Sequence, residues 1–319
     1  MADFPIAYAV YNKNEQIRFA STSGGIFSCI ASYLINQKKA IVFGAAYDEN
    51  FHIRHIAVDN VEDLAKLRGS KYAQSNLGDT FVKIKKLLQE GKVVFFSGTP
   101  CQVAGLKKYL KLDYRNLYCL DFICHGVASP ETWNAYVEDL KNKGEIQNII
   151  FKFKRRGWKK WYFRVEYVNG KTYQVRGSMN TFMRSYLSYC NIRPSCYACK
   201  FKGINHNSDF TISDAWGVAE RNSEINDNRG LSSLLLQNER AVELFTYIKD
   251  DLNYLHYDAN ELMSGNWTAF RSVPPHADRE AFFALMGTQG GMYALNKFFK
   301  PTILSWGKYY FLRLMGKEK

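Results

Sequence analysis

Across residues 1–146, short apolar runs alternate with segments whose apolar positions recur every three or four residues, the pattern of strands and amphipathic helices in a parallel α/β layer. Ser23-Gly24-Gly25 precedes a helical stripe of Ile26, Ile30, Tyr33 and Leu34. Asn60 is placed to open a short helix, with Asp63 suited to its positive end and Gly69 to a left-handed C-terminal cap. Phe81, Ile84, Leu87 and Leu88 form the next stripe, and Val93-Val94-Phe95-Phe96 follows as a buried strand. It runs into Ser97-Gly98-Thr99-Pro100, where Thr99 caps and Pro100 starts a helix bearing Val103, Leu106, Tyr109 and Leu110. A further strand, Leu117 to Ile123, ends in Cys124-His125-Gly126. Ser129-Pro130 then opens a helix with Trp133, Tyr136, Val137 and Leu140 on one side.

Past residue 146 the period changes to two. Trp161, Phe163, Val165 and Tyr167 share a face, and Asn169-Gly170 marks a hairpin. A helix is expected from Thr181 to Asn191, then the Arg193-Pro194-Ser195-Cys196-Tyr197-Ala198-Cys199 loop. A strand at Asp209–Asp214 delivers Ala215-Trp216-Gly217 to another loop. The expected fold class is therefore α/β, with a parallel-sheet module followed by an α+β region with an antiparallel hairpin. Its expected divisions are residues 1–146, 147–260 and a helical tail at 261–319.

A length of 319 residues suits about two domains, and 46% hydrophobic residues exclude general disorder. Apolar runs are broken well before the length of a membrane span, and Met1-Ala2-Asp3-Phe4-Pro5 does not resemble a leader. The expected location is the cytoplasm, where thiols stay reduced. Seven cysteines there point to a metal site, a reactive thiol or core packing rather than to disulfides.

Cys196 and Cys199 have the spacing of a chelating pair or a redox dithiol. They follow an Arg-Pro-Ser turn rather than the strand-to-helix entry of a thioredoxin, so metal or cluster is the better reading. Cys101 and Cys124 fall in turns at strand ends and are their natural partners, whereas Cys29, Cys119 and Cys190 lie within regular elements. Thiolate tetrads hold structural zinc as well as 4Fe-4S clusters. One local pair with two remote singles differs from the two-knuckle spacing of zinc ribbons and favours the cluster. The alternative is that Cys101 and Cys124 are small buried hydrophobes.

Six blocks carry a resemblance: Ser23-Gly24-Gly25-Ile26-Phe27, Gly69 to Ser75, Gly98 to Leu106, Ile123 to Gly126, Arg193 to Cys199, and Ser208-Asp209 with Asp214-Ala215-Trp216-Gly217. In this order, over residues 7 to 220, they resemble the coenzyme F420 hydrogenase/dehydrogenase beta-subunit family. The resemblance implies an iron-sulfur flavoprotein relaying electrons between a 4Fe-4S cluster and FAD. It carries over Cys101, Cys124, Cys196 and Cys199 as cluster ligands, and Ser23, Gly24, Gly25, Ser70, Lys71 and Tyr72 as part of the flavin site. Gly24 and Gly25 would let backbone N–H groups approach a diphosphate at a helix N-terminus, with Lys71 adding charge. No Gly-x-Gly-x-x-Gly fingerprint supports FAD independently. His125 is the candidate catalytic residue, placed to tune the cluster or pass a proton near the flavin, against the plainer reading of a backbone-bonded histidine. Asp214 and Trp216 have similar standing, and Asp209 is expected to orient the ligand loop.

Many relatives begin with a ferredoxin-like segment and this sequence starts at the flavin module, so a separate carrier is expected to exchange its electrons. A net charge of +13 suits an acidic partner such as ferredoxin. Coenzyme F420 is expected only where it is made, and bacterial relatives without it are associated with polysaccharide biosynthesis, so the expected substrate is a small molecule or glycan precursor.

Lys152, Lys154, Arg155, Arg156, Lys159, Lys160 and Arg164 interleave with Phe151, Phe153, Trp158, Trp161 and Tyr162. The expectation is a strand pair with one solvated basic face, or a docking face for the carrier; nucleic acid is not expected. Trp306 to Met315 mixes aromatic and basic residues like an interfacial helix, which suggests peripheral membrane contact at the inner face. Two rivals remain: a noncatalytic zinc-binding protein docking an acidic partner or membrane, and a thiol redox protein using Cys196 and Cys199.

Overall fold

The computed structural model describes residues 4–315, the side chains at 219–220, 308 and 312–314 excepted. Its strands are β1 (Ile6–Asn12), β2 (Ile41–Tyr47), β3 (Ile53–Val58), β4 (Val94–Ser97), β5 (Leu117–Phe122), β6 (Ile146–Phe153), β7 (Tyr162–Tyr167), β8 (Thr172–Arg176), β9 (Phe210–Asp214), β10 (Ser232–Leu236) and β11 (Leu252–Tyr257). The helices begin with α1 (Glu15–Ala20), α2 (Ile26–Lys38), α3 (Leu64–Leu67), α4 (Thr80–Gln89), α5 (Pro100–Leu110), α6 (Pro130–Lys141) and α7 (Thr181–Leu187). They continue with α8 (Val218–Arg221), α9 (Glu239–Ile248), α10 (Ala259–Met263), α11 (Arg279–Gln289), α12 (Gly291–Phe299) and α13 (Ile303–Leu314).

An eight-stranded sheet has the order β11-β1-β10-β9-β5-β4-β2-β3, and β6-β7-β8 form a separate three-stranded sheet. Its centre is parallel: β2 pairs β4, β4 pairs β5 and β5 pairs β9. Antiparallel strands extend both edges, β3 on β2 at one side and β10, β1 and β11 beyond β9 at the other. The α/β class and the separate antiparallel hairpin are as expected. The parallel layer itself takes β9 from residues far along the chain, and β10 and β11 flank β1.

Alternation along β4 explains its uninterrupted apolar run. Phe95 faces Ile26, Ile30 and Leu34 of α2 and Leu244 and Phe245 of α9, whereas Val94 and Phe96 face Ile84 of α4 and Val103 and Leu106 of α5. A strand covered on both faces needs no polar positions. Burying each such side chain contributes about 1.5–3 kcal/mol before entropy is counted. A second core lies between the three-stranded sheet and α6, α7, α11 and α12, where Trp133, Tyr136, Phe151, Phe163, Phe182 and Phe282 meet.

Caps form largely where their residue types demand. Thr99 and Gln102 make a reciprocal capping box at α5, with Pro100 in the first turn. Gly170 turns the hairpin at φ 79°. Asn60 accepts from Asp63 N at 2.9 Å, but this turn precedes the helix, which starts at Leu64. The helix expected to reach Asn191 stops at Leu187, because Tyr189 takes a left-handed conformation, φ 63°, and Cys190 N donates to Ser185 O. Among the described residues no helix is long and apolar enough to cross a membrane.

Candidate cofactor cavity

A cavity of about 900 Å³ opens at the carboxyl ends of the central strands, lined by Ser97 at the end of β4 and Gly98 after it, Ile123 to Val127 after β5, and Asp214 at the end of β9 with Trp216 beyond. Loops and helix N-termini converge at such edges of parallel sheets. Three segments remote in sequence add to its wall: Ser21 to Ser23 with Gly25 to Phe27, Leu67 to Gly78, and Arg193, Ser195 and Cys196.

Ser23 and Gly25 line the cavity, while Gly24 lies behind them against β1 and β10. Gly25, at φ +86°, leads into α2, whose first turn has no side-chain cap. Ile26 and Phe27 therefore bring unpaired helix N–H groups to the cavity wall. The loop is tied down from the rear. Ser23 Oγ donates to Leu231 O at 2.6 Å, Gly24 N donates to Ser232 Oγ at 2.9 Å, and Lys154 Nζ donates to Ser23 O at 2.9 Å and Arg18 O at 2.6 Å. Buried Arg18 in turn grips Asp227 through both guanidinium nitrogens, at 2.8 and 2.6 Å.

Ser70, Lys71 and Tyr72 also line the cavity. Ser70 N donates to Thr22 Oγ1 at 2.8 Å, joining this segment to the Ser23 loop. Lys71 Nζ donates to the carbonyls of Lys66, Leu67 and Arg68, each at 3.1 Å, so its ammonium closes the end of α3. Burial, with the charge of Arg68, pushes it down to about 7. Arg68 supplies a second cation to this wall and donates from Nε to Ser28 Oγ at 2.9 Å.

A polar cluster built on β6 and β9 also lines the cavity, within reach of the Tyr72 hydroxyl. Lys152 Nζ lies 2.7 Å from Asp214 Oδ2, and Trp158 Nε1 donates to Asp214 Oδ1 at 3.3 Å. Trp158 stacks on Trp216 with centroids 4.3 Å apart and planes 3° from parallel. Burial alone would lower the Lys152 ammonium; Asp214 and the Tyr72 hydroxyl reverse this and hold it above the usual lysine range. Lys152 and Lys154 thus point inward, which corrects the reading of this stretch as one solvated basic face; Arg155, Arg156 and Lys159 remain exposed. Their alternation with Phe151 and Phe153 was visible, but not which face would be covered.

His125 lines the cavity and its Nε2 shares a hydrogen bond with Thr268 Oγ1 at 3.0 Å. Burial, then the charges of Lys152 and Lys202, push it down to about 4, leaving a neutral imidazole at neutral pH. Asp209 sits apart from the cavity lining. It accepts from Cys119 N at 2.7 Å, Asn238 Nδ2 at 3.0 Å and Arg240 Nη2 at 2.5 Å, bracing β9 against β5.

Cys101, Cys124 and Cys196 line the same cavity, and Cys199 follows Cys196 at the end of its 3-10 turn. Cys101, in the first turn of α5, is exposed and shares a hydrogen bond with Thr99 Oγ1 at 3.1 Å. Gly126 N donates to Cys124 Sγ at 3.3 Å. Burial pushes the Cys124 thiol up to about 12, with Cys196 and Cys101 near enough to add to the rise. Burial also raises Cys196, which takes a backbone bond from Val127 and feels both Cys101 and Cys199. Gly126 at φ +104° permits this approach: a Cβ there would stand 2.9 Å from Ile192 and 3.3 Å from Cys196 Cβ. Among the described residues no three His, Cys, Asp or Glu side chains gather closely enough to hold a single metal ion. Cys29, Cys119 and Cys190 are buried in the cores.

The fold and cavity define an α/β protein with a cofactor-sized chamber between a glycine loop and a cysteine wall. The chain belongs to the coenzyme F420 hydrogenase/dehydrogenase beta-subunit family, whose N-terminal part matches residues 7–80 and whose C-terminal part matches residues 91–260. That family is one of oxidoreductase subunits. A chain of the F420-reducing [NiFe] hydrogenase complex from Methanosarcina barkeri has a similar fold, with TM-score 0.54 and 15% identity, covering 84% of this chain and 91% of that one. No curated protein sequence matches the chain.

Proposed function

We propose that the chain is an iron-sulfur flavoprotein oxidoreductase that passes electrons between a 4Fe-4S cluster and FAD. One observation carries this reading: Ser23, Gly25, Ser70, Lys71 and Tyr72 line the same cavity as Cys101, Cys124 and Cys196. Its volume of about 900 Å³ suits a dinucleotide-sized ligand, within the roughly 300–1,000 Å³ of cofactor and drug pockets. The uncapped start of α2 and Arg68 suit the diphosphate, and Tyr72, Trp161 and Trp216 offer aromatic walls. The cysteine wall suits a cluster in its chemistry: four thiols at adjoining loops, with the Gly126 and Val127 amides bonding to Cys124 and Cys196.

When bound, the cluster supplies single-electron transfer and the flavin hydride or stepwise transfer. The chain's residues set the conditions. The amides at Cys124 and Cys196 would stabilise negative charge on sulfur, one of the levers on cluster potential. Asp214 holds the Lys152 cation in the wall, and His125, neutral there and hydrogen-bonded to Thr268 Oγ1, would serve the chamber as a polar positioning group rather than as a store for a proton. The second substrate is a small molecule or glycan precursor, a class that includes coenzyme F420. The net charge of +13 supports an acidic carrier such as ferredoxin, and a cytoplasmic location suits four reduced thiols.

Iron, acid-labile sulfide, zinc and released flavin, measured on anaerobically purified protein, test this. We expect about four irons and four sulfides with one flavin per chain, and Cys124→Ser or Cys199→Ser to lose iron and the brown chromophore. Zinc near one per chain with no flavin, or unchanged iron in the cysteine variants, overturns the reading.

A further inference from the structure

Among the described side chains of helix α13, one apolar face is covered and another is exposed. Trp306 and Tyr309 turn inward onto the core around α6 and α12. On the other side Ile303 and Leu304 are 90% and 84% exposed, and Phe311 and Met315 are more than half exposed. Leu304, Phe311 and Met315 are spaced seven and eleven residues apart, so they share one stripe with Ile303 beside it. Monomeric proteins rarely leave such a stripe against water.

Beneath the helix lies a second cavity of about 340 Å³, separate from the cofactor chamber, lined by Arg155, Arg156, Arg176, Tyr162, Trp306 and Tyr310 among others. No acidic side chain lines it among the described residues. Arg155 and Arg156 are exposed at its rim. Arginine forks fit phosphate oxygens, and Trp and Tyr rings collect at the boundary between headgroups and hydrocarbon.

We propose that α13 and this arginine pocket form a docking surface for an anionic phospholipid bilayer. Ile303, Leu304, Phe311 and Met315 enter the acyl boundary, while Arg155 and Arg156 meet headgroup phosphates. An acidic protein would satisfy the arginines, but an exposed stripe of Leu304, Phe311 and Met315 with Ile303 beside it calls for hydrocarbon as well. The net charge of +13 acts in the same direction as the local arginines. The proposal is independent of what the cofactor chamber holds.

The test is co-sedimentation of the full chain with vesicles of phosphatidylglycerol in phosphatidylcholine, against pure phosphatidylcholine. The parent should pellet with the anionic vesicles only. Leu304→Ser with Phe311→Ser, which leaves the charge unchanged, should weaken binding at least tenfold. Arg155→Gln with Arg156→Gln should weaken it about fivefold per arginine removed. Lys83→Gln with Lys86→Gln, which removes two exposed charges from α4, should stay within twofold of the parent. A parent that stays in solution, serine variants that bind like the parent, or an α4 variant that loses as much as the arginine variant overturns the proposal. Self-association of a non-binding parent would mark the stripe as a protein interface instead.

Discussion

At Gly24 the missing side chain is a packing requirement, since a Cβ would stand 2.5 Å from the Val10 carbonyl and 3.0 Å from Ser232 N. Both neighbours are backbone atoms of strands in the sheet, so neither can swing away. Gly24→Ala should cost about 1–3 kcal/mol in urea denaturation and reduce the flavin retained on purification, because the Ser23 loop must shift. Asp209 shows the opposite constraint, a buried charge with its full set of partners. Asp209→Ala strips acceptors from Arg240, Asn238 and the Cys119 amide; we expect a loss of about 3 kcal/mol, moderated because Arg240 keeps contact with water. Its carboxylate stands apart from the cavity lining and holds β9 in register with β5.

At the scale of elements, the loop from Cys199 to β9 is pinned to β5 by His206, whose Nδ1 lies 2.9 Å from both Asp121 carboxylate oxygens. Its Nε2 is 3.1 Å from Gly203 O. Burial would lower this imidazole, but the bond to Asp121 and its charge outweigh it, so the folded state holds the proton more tightly than the unfolded chain. A raised folded value contributes stability that is complete below the unfolded value of about 6.5 and is lost as pH rises through the folded one. His206→Gln should therefore differ most from the parent near pH 6, and the gap in denaturation midpoint should narrow as the pH is raised. A gap that widens with pH would mean the pair is not protonated in the folded state. The same loop is held by Lys202, which donates to Cys124 O and Thr268 O at 2.7 Å each, so loosening it should also loosen the cysteine wall.

For the whole molecule, the net charge of +13 is the property most easily tested. Lys71, Lys152 and Lys154 are engaged internally, so the external field comes from residues such as Arg155, Arg156 and the exposed lysines of α4. The rate of reduction by a reduced ferredoxin should fall about tenfold or more as salt rises from low ionic strength to about 0.5 M, with far less change in the rate at saturating carrier. Stopped-flow flavin absorbance at a series of salt concentrations checks this; a salt-independent rate would argue against electrostatic steering.

Features that depend on near neighbours along the chain are legible in the amino-acid order alone. The capping box at Thr99, the proline start of α6, the Asn169-Gly170 turn and the uninterrupted apolar run of β4 are local, as is the position of Cys101 and Cys124 just past strand ends. Backbone preference and apolar period act over a few residues, so they can be read without a partner. The remaining features depend on partners far away along the chain. Lys152 faces inward because Asp214, 62 residues on, compensates its burial, and Lys154 does so because two carbonyls more than 130 residues away receive it. Lys71 was read as a charge for the ligand, yet its ammonium meets three carbonyls that only the folded end of α3 presents together. A charge is buried or solvated according to what the fold brings beside it, and periodicity carries no record of that partner.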